Sequence, residues 1–265
     1  MNDIDPKHIR HVPPAKLNDK AILGIAQAYG PYNYWFDNLY PPSHPDTTWH
    51  ALMVVSALHS DAFITQAINL LESPDSRVRA WACYYLGVVN APGALILFHG
   101  LFNDPSPRVR YHARKAYISL NTEGSKIFFQ ERTVHGARFN GLISDDSPNS
   151  RNDIRAEISK YNHQIIIAAT EKETIEMALE YKPQIIVTDN QKNYTLADQK
   201  VVDNMSGLNM TWDICRHPDL KETIIVMFTF DAVEPIFLWQ GGDLFLGKMY
   251  YSLGDLLFSM EDLMR

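Results

Sequence analysis

Asp145, Asp146, Asp189, Thr229 and Lys248 are the residues of this chain whose types and spacing suit joint chemistry. Each stands just past a short apolar run: 139–143 before the paired aspartates, 185–188 before Asp189, 224–228 before Thr229, and 245–246 before Lys248. As parallel strands of a doubly wound sheet, those runs would bring the five side chains together at the carboxyl ends, where such sheets bind ligands. Three carboxylates in one pocket repel each other and call for a cation. A hard divalent ion with oxygen ligands suits them, so Mg2+ is the expected cofactor. With that charge neutralised, one carboxylate can attack a phosphoryl group while lysine and metal neutralise the transferring oxygens. The threonine hydroxyl can then donate a hydrogen bond to the product. Phosphoryl transfer is mostly positioning and electrostatics, so few groups suffice. Taken singly, none of the five is informative: an aspartate at a strand end is commonly a turn or a helix cap. Their joint placement carries the reading.

The elements that must position them alternate from Arg138 onward. Strands are predicted at 139–143, 164–168, 185–188, 224–228 and around 245–246, with helices at 150–161, 171–181, from 212, and 251–264. The strands are short and apolar throughout, as expected for a parallel sheet covered on both faces. Thr170 is placed to cap the second helix. The last helix carries one apolar stripe, Leu253, Leu256, Leu257, Met260, Leu263 and Met264. Phe258 falls off it and, with Pro235, Phe237, Leu238 and Trp239, suggests a partner surface.

The first half is different. Prolines break up an N-terminal arm at 1–16, a helix fits 17–29, and the aromatic, proline-rich stretch 30–45 reads as an ordered connection packed on the helices. Then the text repeats: Asp75-Ser76-Arg77-Val78-Arg79-Ala80-Trp81-Ala82 returns as Ser106-Pro107-Arg108-Val109-Arg110-Tyr111-His112-Ala113 at an offset of 31 residues. A worn earlier copy starts at Pro45-Asp46, and second helices fit 62–72 and 92–102. Two helices per unit at a fixed period predict a helical solenoid, which needs about three units. The second arginine of each unit, Arg79 or Arg110, is expected to tie neighbouring units together. Arg77, Arg79, Arg108, Arg110, Arg114 and Lys115 also form the best candidate for a basic patch, with a phosphate or an acidic partner as the sharper alternative.

Composition narrows the class. The 265 residues and 46% hydrophobic content suit two soluble domains, expected at 1–130 and 137–265. The net charge of -7 disfavours non-specific nucleic-acid binding. No apolar run approaches the ~18 residues of a membrane span, and the N-terminus has no secretory h-region. Cys83 and Cys215 form no disulfide or metal pattern. Together these predict a cytoplasmic location.

Residues 46–120 resemble HEAT-like repeats, including the short-period type of bilin lyase-like proteins, on the D-x-R-V-R-x-x-A pattern. Residues 138–265 resemble the receiver domain of two-component response regulators, a flavodoxin-like α/β fold. The stretches that carry it are Leu142-Ile143-Ser144-Asp145-Asp146, Lys182-Pro183-Gln184-Ile185-Ile186-Val187-Thr188-Asp189, Ile224-Ile225-Val226-Met227-Phe228-Thr229 and Gly241-Gly242-Asp243-Leu244-Phe245-Leu246-Gly247-Lys248. The resemblance implies Asp189 as phosphoacceptor, Thr229 as switch hydroxyl, Phe245 as switch aromatic and Lys248 as phosphate partner. It implies Asp146 as a direct Mg2+ ligand, Asp145 as a ligand through water, and the carbonyl of Gln191 as a further ligand. It also implies a histidine kinase or phosphotransfer protein as donor. The output would be protein–protein interaction through the repeats. The domain would be a phosphoryl acceptor with at most weak self-dephosphorylation, not an enzyme in the ordinary sense.

The departures are an insertion at 192–203 beside the acceptor, Ser206 in place of a proline, bulky Phe230 where a small residue is usual, and Met249 in place of the proline after the lysine. The last predicts a reshaped lysine loop, and the stretch 229–241 is short for a full helix. These departures motivate the alternative of a phosphorylation-independent pseudo-receiver. A chromophore-handling protein is the other alternative, suggested by the repeat type alone.

Overall fold

The computed structural model describes residues 18–40, 43–120, 138–190 and 206–265, with the backbone of 192–196 and 199–203. The arm at 1–16, the expected domain boundary between 130 and 137, and Gln191 lie outside the described residues.

The first half is helical: α1 (Asp19–Tyr29), α2 (Tyr32–Asp37), α3 (Pro45–Ala57), a single 3-10 turn, α4 (Ile64–Leu70), α5 (Ser76–Val88), α6 (Ala94–Leu101) and α7 (Pro107–Leu120). The offset of 31 residues sets the order of packing. The first helices of successive units stack, α5 between α3 and α7, with α4 and α6 laid against them. The expected worn copy at Pro45-Asp46 falls on α3. Asp75 caps α5 by accepting hydrogen bonds from the backbone N–H groups of Arg77 and Val78. Ala82, Ala113 and Ala116 are buried where the helices meet. Gly87 is required there, because a Cβ at that position would lie 2.9 Å from that of Ala116.

The second half runs β1 (Asn140–Ser144), α8 (Pro148–Ser159), β2 (Gln164–Ala168), α9 (Glu171–Tyr181), β3 (Ile185–Thr188), β4 (Lys192–Leu196), β5 (Gln199–Asp203), α10 (Ser206–Arg216), β6 (Ile224–Thr229), α11 (Glu234–Trp239), β7 (Leu244–Gly247) and α12 (Leu253–Met264). Five strands form a parallel sheet in the order β2-β1-β3-β6-β7, with Gly141 opposite Ile185, Ile185 opposite Ile224 and Val226 opposite Leu244. That is the doubly wound order whose switch point lies between β1 and β3. Alternate residues point to opposite faces. Ile143, Val187, Val226 and Leu246 pack with α8 and α12, and Leu142, Ile186, Ile225 and Met227 pack with α9, α10 and α11. Both faces are covered, so the strands read as unbroken apolar runs. Thr170 caps α9 by accepting from the N–H of Glu173, and Ser252 with Asp255 forms a capping box on α12.

Several expectations need correction. The insertion at 192–203 is an antiparallel hairpin, with Tyr194 opposite Val201. The helix expected from 212 begins at Ser206. Gly207 lets its first turn pass under the backbone after β3, since a Cβ there would sit 2.8 Å from the Cα of Asn190. Phe258 is half-buried in the cluster between the sheet and α12.

The proposed partner surface is also taken. Phe237, Leu238 and Trp239 are 0%, 5% and 5% exposed, because the chain's own helices cover them. Trp239 stacks on His50 at 4.3 Å and on Tyr29 at 6.0 Å and meets Trp35 edge-on at 5.4 Å. One apolar core therefore runs from the helical stack into one face of the sheet. Each large side chain so buried contributes roughly 1.5–3 kcal/mol.

Apart from Arg79, the basic row meets the second half of the chain. Arg79 reaches its own turn at Ser73 O (2.8 Å) and the next unit at Asp104 (2.8 Å), as expected of a repeat tie. Arg110 repeats the arrangement with Asp104 O (2.8 Å) and Pro105 O (3.0 Å), but its Nη2 and Nε donate to Met264 O and Arg265 O (3.1 and 2.9 Å). The end of α12 thus stands where a next unit would. Arg108 pairs with Asp243 across the contact, both buried. Lys115 pairs with Asp262 at 2.9 Å. No described helix is long and apolar enough to cross a membrane.

Candidate functional site

The sheet delivers four of the five predicted side chains to one place. β1 ends at Ser144, so Asp145 emerges at the carboxyl edge, and β3 ends at Thr188, next to it in the sheet, so Asp189 emerges beside it. Thr229 is the last residue of β6, and Lys248 follows the end of β7. The Thr229 hydroxyl donates to Asp189 Oδ1 at 2.7 Å. Lys248 Nζ donates to Asp145 Oδ2 at 3.1 Å and also to Asp189 Oδ2. One ammonium therefore bridges two carboxylates.

The lysine arrives by a specific route. Its backbone N–H donates to Thr229 O at 2.7 Å, extending the β6–β7 ladder by one bond. Gly247 O then accepts from the N–H groups of Tyr250 and Tyr251, at 2.9 and 3.1 Å. That tight turn leaves Met249 and Tyr250 exposed on its outside.

Asp145 is 3% exposed and held from several sides. Its Oδ1 accepts from the Ser147 N–H at 2.9 Å, and its Oδ2 accepts from the Ser150 hydroxyl at 2.6 Å as well as from Lys248. Arg151 donates to its carbonyl oxygen. Burial alone would raise its pKa. The Ser150 hydrogen bond and the Lys248 charge outweigh burial and hold the carboxyl below the usual carboxylate range. Burial would likewise lower the Lys248 pKa, but Asp189 and Asp145 hold it above the ordinary lysine value. Asp145 and Lys248 are thus a charged pair at neutral pH.

Asp146 is half-exposed just beyond, and no three His, Cys, Asp or Glu side chains gather into a metal cluster among the described residues. Lys248 Nζ stands between the carboxylates of Asp145 and Asp189. In donor type the set still suits a hard cation, since the side chains offer only oxygen atoms besides that amine.

Phe230 stands at the mouth, 69% exposed, with Lys248 Nζ 5.7 Å from its ring centroid; Phe228 lies beneath at 5.5 Å. Phe245 is half-buried on the opposite sheet face from Leu244 and Leu246, its ring 6.4 Å from that of Phe237. Three contributors escaped sequence reasoning. Ser150 lies in the first turn of α8, over the strand end, and its spacing from Asp145 was the available signal. Asn190 follows the central carboxylate directly and donates to Asp231 at 2.8 Å, linking the loops after β3 and β6. Arg151 follows Ser150 on the same turn.

No protein-family model matches the chain, and no curated protein matches it. Solved structures similar in part include a chemotaxis response regulator of Vibrio cholerae, at 18% identity and a TM-score of 0.41, covering 48% of this chain and 99% of that one. The response regulator domain of CheB from Thermotoga maritima, at 20% identity and 0.40, covers 48% and 97%. A receiver domain of a Pseudomonas aeruginosa sensor histidine kinase, described with a magnesium ion in its active-site cleft, has 16% identity and 0.40, covering 48% and 98%.

Proposed function

We propose that this chain is a response regulator that accepts a phosphoryl group on Asp189 and signals through protein contacts. The observation that carries the proposal is the Asp189 carboxylate at the carboxyl end of the central strand, held by the Thr229 hydroxyl and the Lys248 ammonium. In the transfer, an Asp189 oxygen forms a bond to phosphorus while the bond from phosphorus to the donor breaks. The donor, a phosphohistidine of a kinase or phosphotransfer protein, leaves with the electron pair. Thr229 and Lys248 then turn from the carboxylate to the new phosphoryl oxygens, where their donors stabilise the added charge. Mg2+, held by Asp145, Asp146 and Asp189, would supply further neutralisation of those oxygens. In this reading the domain turns over no substrate of its own beyond slow loss of its phosphoryl group.

A second reading, a pseudo-receiver that binds partners without phosphorylation, is favoured by Phe230 at the mouth and by the lysine turn closed on Gly247. Intact-mass spectrometry after incubation with acetyl phosphate separates the two. A gain of one phosphoryl group in the wild type that needs Mg2+ and is absent in Asp189→Asn supports the acceptor. No gain in folded protein supports the pseudo-receiver.

A further inference from the structure

Between the helical stack and the start of β7 lies a cavity of about 40 Å³. One wall is α5 and α7, contributing Arg77, Trp81, Tyr84, Arg108, His112 and Lys115. The other is the turn at Gly241 and Gly242 with Leu238, Asp243 and Leu244. A water needs about 10–15 Å³ of such space, so the cavity has room for roughly three waters or one small polyatomic group.

The charges on its walls are unbalanced. Arg108 is matched by Asp243, with Glu222 at 3.9 Å, and Lys115 by Asp262. Arg79, outside the cavity, has Asp104. Arg77 is different. It is 6% exposed, yet it forms no ion pair among the described residues. Its Nη2 donates to Lys221 O at 3.1 Å, and its Nε is buried with no partner. A guanidinium has five donors and cannot shed its charge. Leaving such a group dry and unpaired is costly, so the position calls for an anion. Two neighbouring groups that can carry charge are neutral here. Burial keeps the Cys215 thiol above its ordinary pKa and therefore neutral. His112 is held neutral, its pKa lowered to about 4 by burial and by Arg108 and Lys115.

We propose that this cavity binds a small oxyanion, a carboxylate or phosphate group, that pairs with Arg77 and bridges the helical stack to the sheet. Arg77 provides the unpaired donor, and Lys115, already paired with Asp262, stands on the same wall. Trp81, Tyr84 and His112 form an aromatic wall along which the apolar body of a larger ligand can lie. The site is at the amino end of β7, opposite the carboxylates, and does not depend on phosphoryl transfer at Asp189.

The test uses the full chain in EDTA, at ionic strength held constant with chloride, titrated with inorganic phosphate in one arm and acetate in the other. Binding is read by the rise in melting temperature and by the Arg77 Nε–H resonance in ¹⁵N NMR. The expected result is a saturable rise with at least one anion and a shift of that resonance. Affinity should fall at least ~10-fold in Arg77→Gln and be unchanged in Arg155→Gln, on the distant α8. If Arg77→Gln does not fold, Lys115→Gln replaces it, with a weaker but measurable loss expected. A response no greater than that to chloride in both arms overturns the proposal, as does undiminished affinity in the cavity variants. A preference for phosphate or for acetate assigns the head group.

Discussion

β7 carries an ionic cluster at each end, and the two are built differently. At its start, Arg108 and Asp243 face each other with side chains 3% exposed. Asp243 also accepts from the Ile225 N–H at 2.9 Å, and Arg108 donates further to Thr223 O at 3.1 Å and Ser76 Oγ at 3.0 Å. That cluster is a rigid fork, with both Asp243 oxygens taken up by Arg108 and the Ile225 N–H. At the other end, Lys248 is a point charge on a flexible stem, 11% exposed, shared by two carboxylates, of which Asp189 is 14% exposed. Arginine fixes geometry and lysine can be re-aimed. The same strand thus joins an end suited to holding two halves together with an end suited to reaction.

The sharpest way to break this comparison is at the closed end. Asp243→Ala should cost about 3–5 kcal/mol, because it leaves the Arg108 guanidinium buried and uncompensated. Urea unfolding monitored by circular dichroism measures it, and a loss under about 1 kcal/mol would mean that water reaches the pair. Acid tests the same contact. His50 is 7% exposed, bonds Trp239 O at 2.7 Å, and has its pKa lowered to about 4 by burial. A lowered histidine pKa means that the unfolded chain takes up the proton first. Its contribution is whole above the unfolded value near 6.5 and is lost as pH falls from there to about 4, on the order of 3 kcal/mol. Unfolding free energies across that range should show the slope, and His50→Gln should flatten it. The smallest effect is expected at the open end. Phe230→Ala removes a side chain 69% exposed and should move stability by no more than about 0.5 kcal/mol. It should speed acetyl phosphate labelling of Asp189; an unchanged rate would mean that the ring does not narrow the mouth.

The open end was legible in the sequence and the closed end was not, for physical reasons. Asp145, Asp189, Thr229 and Lys248 each follow an apolar run, and a parallel sheet has only one place for residues that follow its strands. The runs stand out because both faces are buried. Arg108 and Asp243 are 135 residues apart, and nothing in either neighbourhood names the other. Phe237, Leu238 and Trp239 would read the same whether they faced a second protein or the chain's own α1 and α3. The hairpin at 192–203 has no Gly or Pro to mark its turn, so it read as an undivided insertion. The start of α10 is hidden because Ser206 reads as the counterpart of a proline in the stretch after the acceptor, whereas Gly207 is needed for the close pass beneath Asn190.

Arg110 grips the carbonyls of Met264 and Arg265 where Arg79 grips the following repeat. The sheet domain therefore serves the stack as its terminal cap, and the stack serves the sheet as the cover of α11. Each half supplies surface that the other needs in order to stay dry. The two halves are therefore expected to unfold in one transition, as scanning calorimetry of the full chain would show; two separate transitions would mean that each half is stable alone.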